Sequence, residues 1–331
     1  MVNTISAGFA SRLDAAHLAA LQDKPGPPLD LSDIPEARRM AAERDALMPV
    51  VPPPPGVTIE DRVVPGPAGA PEVPVRLYRP LTVRAGSPAL YWVHGGGMVL
   101  GDVSMGDARC ADIADRLNVV VASVEYRLAP EHPFPAPLDD CYAGLVWFAG
   151  AADALGIDRG RIAIGGDSAG GGLAAGLALL ARDRGEVDVC FQMLVYPMLD
   201  DRNRTASSRA IIEPLVWNRT MNLAGWDAYL AGQGGAEDVS AYAAPARATD
   251  LAGLPPTYIS VGTLDLFLDE DIAYAQALSE AQVPVELHVY PGAFHGSPRL
   301  VPEAPISKRW VADELAALDE ALNGPGAGAG L

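Results

Sequence analysis

A G-x-S-x-G pentapeptide at residues 166–170 constrains this chain more than any other feature. It lies between an apolar run at 161–165 and a stretch of small residues at 171–177 that has a helical composition. A sharp turn from strand to helix pushes the central Ser168 into a strained, exposed position, and the two glycines leave room for that turn. A serine hydroxyl becomes a good nucleophile only when a neighbouring base removes its proton. The pentapeptide therefore predicts a reactive serine, provided that the chain also supplies a base.

Apolar, β-rich runs alternate with helical patterns from residue 57 onward. This alternation predicts an α/β fold with one mostly parallel sheet of about eight strands, covered by helices on both faces. A short loop rich in proline and glycine joins the first two strands, so we expect them to form an antiparallel hairpin at one edge. The predicted strands are 58–64, 73–78, 89–93, 119–124, 161–165, 189–195, 257–261 and 285–290, and the predicted helices between or after the later ones are 106–117, 138–155, 169–182, 269–281 and 304–322.

Three segments lie outside this alternation. Residues 1–50 contain two short helical patterns, at 12–21 and 34–47, and residues 200–244 form a long insertion with a helical pattern at 218–231. An insertion of that length between sheet elements is usually functional or disordered, and its aromatic residues argue against disorder. We therefore expect the first segment and the insertion to form a helical cap over a core made of 57–199 and 245–323. The glycine-rich tail at 324–331 is predicted to be disordered.

The candidate base and its acid partner follow from position in the chain. His295 lies in a short loop at 292–296 after the last strand, where an imidazole can be exposed and mobile. Asp265 follows the strand at 257–261 and can fix the tautomer of that imidazole, with Asp269 as the fallback acid. The order serine, aspartate, histidine is the order expected for an α/β-hydrolase. The remaining histidines are interpreted as structural or solvated: His17, His94, His132 and His288.

A glycine run after the strand at 89–93 is the candidate site for a developing oxyanion. Consecutive glycines let backbone N–H groups approach a substrate without interference from side chains. The N–H of Ala169, at the start of the helix after Ser168, is a further donor that the helix dipole assists. The candidate donors are Gly95, Gly96, Gly97 and Ala169, and the sequence leaves open which two of the three glycines donate.

Composition excludes several classes of partner. The 24 basic and 42 acidic residues give a net charge of -18, which opposes binding to nucleic acid or to an anionic membrane. No apolar run approaches the roughly 20 residues of a membrane span, and no signal peptide is evident. The three cysteines lack metal or disulfide spacing, so we predict a cytoplasmic protein without metal or cofactor; the choice between monomer and homodimer stays open. The cysteines are Cys110, Cys141 and Cys190.

A dinucleotide-binding pattern is the main competing motif. Residues 170–175 fit G-x-G-x-x-A, and Asp188 follows at a distance loosely suited to a ribose contact. The pattern falls inside a predicted helix after the fifth strand rather than in the first βαβ unit, where such a site belongs. We interpret these glycines instead as permitting close packing of the helix behind Ser168.

Taken together, these motifs resemble the bacterial hormone-sensitive-lipase-like esterases of the α/β-hydrolase fold. The resemblance rests on 94–97, 125–131, 166–171, Asp265 and 295–296, which span about two hundred residues. It implies Ser168 as nucleophile, His295 as base and Asp265 as the acid that orients it. It also implies an oxyanion hole from the glycine run with Ala169, and the cap described above. His94 and Asp167 are expected to support these groups rather than to react.

The resemblance further implies a carboxylic ester hydrolase that forms an acyl-enzyme with a small-molecule ester. Family members often carry aromatic residues after the glycine run and after His-Gly, where this chain has Met98 and Ser297. These softer or smaller side chains predict a more open pocket, lined also by Trp217, for short to medium or moderately bulky acyl groups. An acyltransferase or amidase would use the same triad. A non-catalytic ligand-binding member of the fold is the other alternative, and the presence of His295 argues against it.

Overall fold

The computed structural model of the chain describes residues 5–23, 27–47 and 51–325. Its strands are β1 (Val57–Val64), β2 (Val73–Pro80), β3 (Ser87–Val93), β4 (Val120–Val124), β5 (Ile157–Asp167), β6 (Phe191–Val195), β7 (Thr257–Leu264) and β8 (Val285–Phe294). They form one sheet in the order β1-β2-β4-β3-β5-β6-β7-β8. The pairs β1–β2 and β2–β4 are antiparallel, and all other neighbours are parallel. The predicted mostly parallel sheet and its hairpin at one edge are thereby confirmed.

Helices cover both faces of this sheet. They are α1 (Ala7–Ala10), α2 (Ala15–Gln22), α3 (Ile34–Asp45), α4 (Asp107–Leu117), α5 (Ala136–Gly150), α6 (Ala152–Leu155), α7 (Ala169–Arg184), α8 (Ala206–Ala210), α9 (Arg219–Tyr229), α10 (Leu268–Glu280), α11 (Ser297–Leu300) and α12 (Pro305–Asn323). Among the residues described, none of these helices is both long enough and apolar enough to span a bilayer.

Side-chain alternation along the central strands divides the interior into two apolar clusters. In β3, Tyr91 belongs to the cluster that contains side chains of α5, α7 and α10. Trp92, the next residue, belongs to the cluster on the opposite face with side chains of α4 and α12. Because successive side chains of a strand point to opposite faces, a nearly continuous apolar strand can serve both clusters. This layering places the carboxyl ends of β3, β5, β6, β7 and β8 along one edge of the molecule.

Several predicted boundaries differ from those observed. The predicted loop at 292–296 is strand as far as Phe294, because a register shift between Gly262 and Leu264 lets β8 continue beside β7. The predicted helix at 12–21 corresponds to α2 alone, which begins at Ala15, and α1 is a separate short helix before it. The side chain of Asp14 accepts the N–H of Ala16, which starts a new helix there. The tail predicted to be disordered lies outside the described residues from position 326 onward, as do residues 1–4, 24–26 and 48–50.

Helix α10 carries two buried carboxyl groups near its amino end. One oxygen of Glu270 accepts the N–H groups of Leu199 (2.9 Å) and Asp200 (3.1 Å). The side chain of Asp271 is fully buried, and neither of its oxygens has a hydrogen-bond partner within the part of the chain that the structure describes. Burial, with Glu270 next to it, raises the pKa of Asp271 well above its ordinary value.

We expect Asp271→Asn to reduce the loss of stability that the protein suffers as the pH rises. The pKa of Asp271 is raised in the folded state, so its favourable contribution is complete below the unfolded value of about 3.9 and declines as the pH rises towards the folded value. Asparagine does not ionise. The Tm at pH 8 minus the Tm at pH 4 should therefore be higher in the variant than in the wild-type protein by at least about 2 °C. Thermal unfolding at both pH values measures this, with Asp153→Asn, at an exposed site, as control. Equal pH dependence in both variants would contradict the expectation.

Candidate active site

Ser168 lies at the turn between the end of β5 and the start of α7. Its backbone has φ +58° and ψ −122°, a conformation that costs a residue other than glycine about 1–3 kcal/mol. The flanking glycines are required, because a Cβ at Gly166 would lie 2.3 Å from the carbonyl oxygen of Gly170, and one at Gly170 would lie 2.1 Å from that of Val93. The sharp strand-to-helix turn expected from the pentapeptide is present.

The structure brings together the three residues expected to react. Ser168 Oγ lies 2.8 Å from His295 Nε2, and His295 Nδ1 lies 2.7 Å from Asp265 Oδ2. Asp265 is fully buried, and its other oxygen accepts the N–H of Phe267 at 3.0 Å. A carboxylate fixed in this way holds the proton of the imidazole on Nδ1 and leaves Nε2 free to accept the proton of the serine.

Two aromatic side chains that the sequence did not single out pack against the imidazole. The ring of His295 meets the ring of Tyr196 edge to face, with centroids 4.8 Å apart, and that of Phe267 in the same way at 5.1 Å. These contacts limit rotation of the histidine. Tyr196 could have been found by its position, because it directly follows β6 and sites in parallel sheets form at the carboxyl ends of neighbouring strands.

Asp269, the fallback acid, has a different partner. Its Oδ2 accepts the N–H of Ser207 at 2.7 Å, and its own N–H donates to Ser207 Oγ at 3.1 Å. The same hydroxyl donates to the carbonyl oxygen of Leu266. Asp269 therefore fastens α8 to the first turn of α10, and the carboxylate that contacts His295 is that of Asp265.

The glycine run lies directly against the serine turn. A Cβ at Gly95 would lie 2.8 Å from the carbonyl oxygen of Asp167 and 3.2 Å from the Cβ of Ser168. Gly96 and Gly97 have φ values of +118° and +63°, in the region that favours glycine. In the described part of the chain, the N–H groups of Gly96, Gly97 and Ala169 have no hydrogen-bond acceptor. Free N–H groups beside a nucleophile can stabilise an oxyanion.

His94 holds the backbone of the glycine run in place. Its buried ring donates from Nδ1 to the carbonyl oxygen of Gly95 at 2.8 Å and stacks on Tyr126 with centroids 4.3 Å apart. The hydroxyl of Tyr126 in turn donates to the backbone carbonyl of His94 at 2.9 Å. Burial lowers the pKa of His94, so its ring is neutral near pH 7. These contacts fix the backbone that carries the candidate donors.

A cavity of about 480 Å³ opens onto Ser168 and His295. We call it the reaction cavity. One wall contains Gly96, Gly97 and the side chain of Asp167. The other walls come from the amino-terminal helices and from the insertion between β6 and β7, with side chains that are mostly apolar: Leu21, Leu29, Arg44, Leu215, Val216, Trp217 and Met221. A partly apolar cavity of this size fits a small molecule.

Of the three side chains predicted to shape the pocket, only Trp217 lines the reaction cavity. Its indole N–H donates to Asn222 Oδ1 at 3.0 Å. Its ring packs so closely on Gly97 that a Cβ at that position would lie 2.3 Å from the nearest ring atom. Met98 and Ser297 are fully buried and lie outside the lining. Met98 has φ +61°, which turns its side chain into the core, and Ser297 begins α11. The prediction that these two side chains open the pocket is corrected accordingly.

The competing glycine pattern at 170–175 lies inside α7. A Cβ at Gly172 would lie 2.1 Å from the carbonyl oxygen of Met198, and one at Gly171 would lie 3.0 Å from the Cβ of Pro197. The interpretation of these glycines as sites of close helix packing is confirmed. No group of three or more histidine, cysteine or acidic side chains is arranged to hold a metal ion within residues 5–23, 27–47 and 51–325.

Comparisons with known proteins identify the family and the fold of the chain. Residues 90–299 match a family described by the alpha/beta hydrolase fold. Esterase LipI of Mycobacterium tuberculosis is 39% identical over 245 residues, which cover 73% of this chain and 75% of the relative. Carboxylesterase NlhH of the same species is 38% identical over 276 residues, covering 81% of this chain and 84% of the relative.

Solved structures give the same result. A bacterial heroin esterase superposes with a TM-score of 0.90 at 45% identity, covering 94% of this chain and 98% of that protein. Esterase LipW of Mycobacterium marinum superposes with a TM-score of 0.81 at 38% identity, covering 97% of this chain and 98% of that protein. The similarity thus extends over nearly the whole length of both structures.

Proposed function

Because this chain belongs to the hormone-sensitive-lipase-like esterases of the α/β-hydrolase fold and is a carboxylesterase, we propose that Ser168, His295 and Asp265 carry out its ester hydrolysis through an acyl-enzyme. The observation that carries the proposal is the unbroken hydrogen-bonded line from Ser168 Oγ through His295 to Asp265. That line ends at the wall of a cavity that can hold a small ester.

The proposed reaction has two halves that use the same groups. His295 Nε2 takes the proton of Ser168 as its oxygen attacks the ester carbonyl, and Asp265 stabilises the imidazolium. N–H groups of the glycine run and of Ala169 stabilise the oxyanion. The imidazolium then returns its proton to the departing alcohol, which leaves an acyl group on Ser168. A water molecule, deprotonated by His295, releases the acid and restores the serine.

The proposed substrates are small esters with short to medium or moderately bulky acyl groups. The relatives named above are called esterases or carboxylesterases, and one is called a heroin esterase. Apolar side chains dominate the walls that the amino-terminal helices and the insertion contribute. Such walls favour the apolar part of an ester, while the few polar groups orient its carbonyl.

We also propose that the amino-terminal helices and residues 200–244 act together as a cap over this site. Both segments line the reaction cavity. The hydroxyl and N–H of Ser6 bind the carboxylate of Glu213 and so connect one segment to the other. On the core side, Arg38 in α3 donates to the carbonyl oxygens of Val99 and Ala129, both at 2.8 Å.

Sulfonylation by phenylmethanesulfonyl fluoride tests the nucleophile directly. Ser168 should displace fluoride and retain the sulfonyl group, with loss of p-nitrophenyl butanoate hydrolysis in proportion to labelling. Peptide mass spectrometry should find one sulfonyl group per chain, on Ser168, and saturating p-nitrophenyl butanoate should slow its attachment. Labelling of another residue with full loss of activity would refute the assignment, as would full activity after complete labelling of Ser168.

A further inference from the structure

A second cavity of about 590 Å³ lies next to the reaction cavity, between α4 and α12. Within the described part of the chain, the two cavities have five lining residues in common, and these residues therefore lie between them. We call this set the partition: Asp45, Met105, Asp167, Tyr196 and Arg299. Nothing in the proposed reaction uses the second cavity.

The second cavity presents mainly apolar and aromatic surface. Its lining includes Trp92 and Met193 from the sheet, Ile113 from α4, and Leu315 and Leu318 from α12. The charged side chains within it are largely paired with one another or with neighbours. Arg109 forms an ion pair with Glu314 and lies over the ring of Trp92 at 4.7 Å, and Asp107 pairs with Arg76 at 2.9 Å. Apolar surface of this kind binds an apolar group better than a charged one.

The inner part of the partition is fixed. Tyr196 is 2% exposed, and its backbone N–H donates to the carbonyl oxygen of Ser260 at 2.6 Å. Its ring meets His295 on one side and Trp310 on the other, with centroid distances of 4.8 and 5.7 Å. Its φ of +38° is rare for a residue other than glycine. Tyr196 is therefore held as a rigid wall between the catalytic imidazole and the second cavity.

The outer part of the partition can move. Met105 has an unbranched side chain that adapts easily to what it contacts. Arg299 and Asp45 form an ion pair at 2.9 Å, with side chains 39% and 46% exposed, and an exposed pair of this type contributes little to stability. Arg299 and Asp45 do not contact His295 in the structure, so opening that pair would widen the boundary between the cavities at a point away from the imidazole.

We propose that the second cavity is a further binding site for the ester itself, which accepts an aromatic or other bulky apolar group while the carbonyl lies at Ser168. This inference rests on the proposed function, since it places the reacting carbonyl at that serine. The inference also gives a new reason to expect that the protein accepts bulky esters. The space for a bulky group comes from a separate cavity beyond Tyr196, and Met98 and Ser297 do not contribute to it. Esters that carry an apolar ring several bonds from the carbonyl are the substrates that this arrangement favours.

The test fills the second cavity and leaves the reaction cavity unchanged. Val311 lies on α12, is partly exposed and lines only the second cavity, so Val311→Trp places an indole there. Ala316→Trp is the matched control, because Ala316 is exposed on the same helix and lines neither cavity. For each variant, kcat/KM is measured with p-nitrophenyl butanoate and p-nitrophenyl 4-phenylbutanoate, which differ only by a terminal ring. Butyl acetate and 4-phenylbutyl acetate form the corresponding pair on the alcohol side.

We expect Val311→Trp to lower the ratio of phenyl to plain ester by about tenfold or more in one pair, since burial of a phenyl ring is worth at least that factor. Ala316→Trp should keep the wild-type ratios. The pair that responds identifies whether the acid or the alcohol enters the second cavity. If Val311→Trp does not fold, Ala108→Trp fills the same cavity from α4.

Two negative results have different meanings. If the wild-type protein hydrolyses the plain esters and neither ratio falls in the cavity-filling variant, the second cavity is not used and the inference is wrong. If the wild-type protein hydrolyses none of the four esters, the proposed function itself fails.

Discussion

Ser168→Ala should lower kcat for p-nitrophenyl butanoate by about four to six orders of magnitude, the loss seen when a serine hydrolase is deprived of its nucleophile. His295 Nε2 has the Ser168 hydroxyl as its partner at 2.8 Å. Alanine removes that oxygen, so no acyl-enzyme can form. The N–H groups of the glycine run remain and account for whatever slow turnover is left. The initial rate of p-nitrophenol release measures the effect.

The loss must be separated from misfolding. Alanine retains the Cβ of Ser168, and among residues 5–23, 27–47 and 51–325 the hydroxyl has a hydrogen bond to His295 alone, so the thermal unfolding midpoint should change little. Ser279→Ala, at an exposed site on α10, is a control that should retain wild-type turnover. A Ser168→Ala protein that is folded and keeps more than about one part in a thousand of wild-type kcat would disprove the proposed mechanism.

Asp265→Asn should lower kcat by about ten thousandfold, and Asp269→Asn by far less. An asparagine at 265 can present an amide N–H to His295 Nδ1, which stabilises the tautomer that has its proton on Nε2. That tautomer cannot accept the proton of Ser168. Asp269 binds the N–H of Ser207, 2.7 Å away, and an asparagine carbonyl oxygen can still accept that bond. Steady-state kinetics of both variants on one ester give the comparison.

The two aspartates are well matched for this experiment. They lie four positions apart at the same end of β7, and each replacement removes one negative charge. A loss of charge near the site would therefore affect both variants similarly, whereas loss of the imidazole partner affects only one. A larger loss for Asp269→Asn than for Asp265→Asn would mean that Asp269 is the acid that orients His295.

The sheet could be predicted from the sequence because each strand has its own local pattern of residues. Each central strand is a nearly continuous apolar run between helical patterns, and all eight predicted strands overlap observed ones. The ends of the strands and helices were less predictable. The last strand extends to Phe294 because of a register shift against its neighbour, and a contact between distant residues leaves no mark within 285–296. The helix predicted at 12–21 begins three residues later, because the side chain of Asp14 accepts the N–H of Ala16.

The residues brought together at the site were predictable from the sequence, whereas most of those that line its cavity were not. Ser168, Asp265 and His295 follow strands whose carboxyl ends meet at one edge, so the pentapeptide and the position of each residue after its strand pointed to them, although these signals alone left Asp269 as an alternative to Asp265. The lining depends on where individual side chains point. Met98 follows a glycine run and takes φ +61°, and this turn into the core is not encoded in its residue type. Tyr196 was missed although it directly follows β6, because only the structure shows that its ring packs against His295.

The contact between Trp217 and Gly97 links two positions that are far apart in the chain. The indole ring occupies the space that a Cβ at position 97 would need, 2.3 Å from it. A larger residue at position 97 thus requires the ring at position 217 to shift or to become smaller, in addition to adopting the positive φ of Gly97. In the descent of such proteins, tryptophan at 217 is therefore most easily acquired where position 97 is already glycine, and the two positions are expected to vary together.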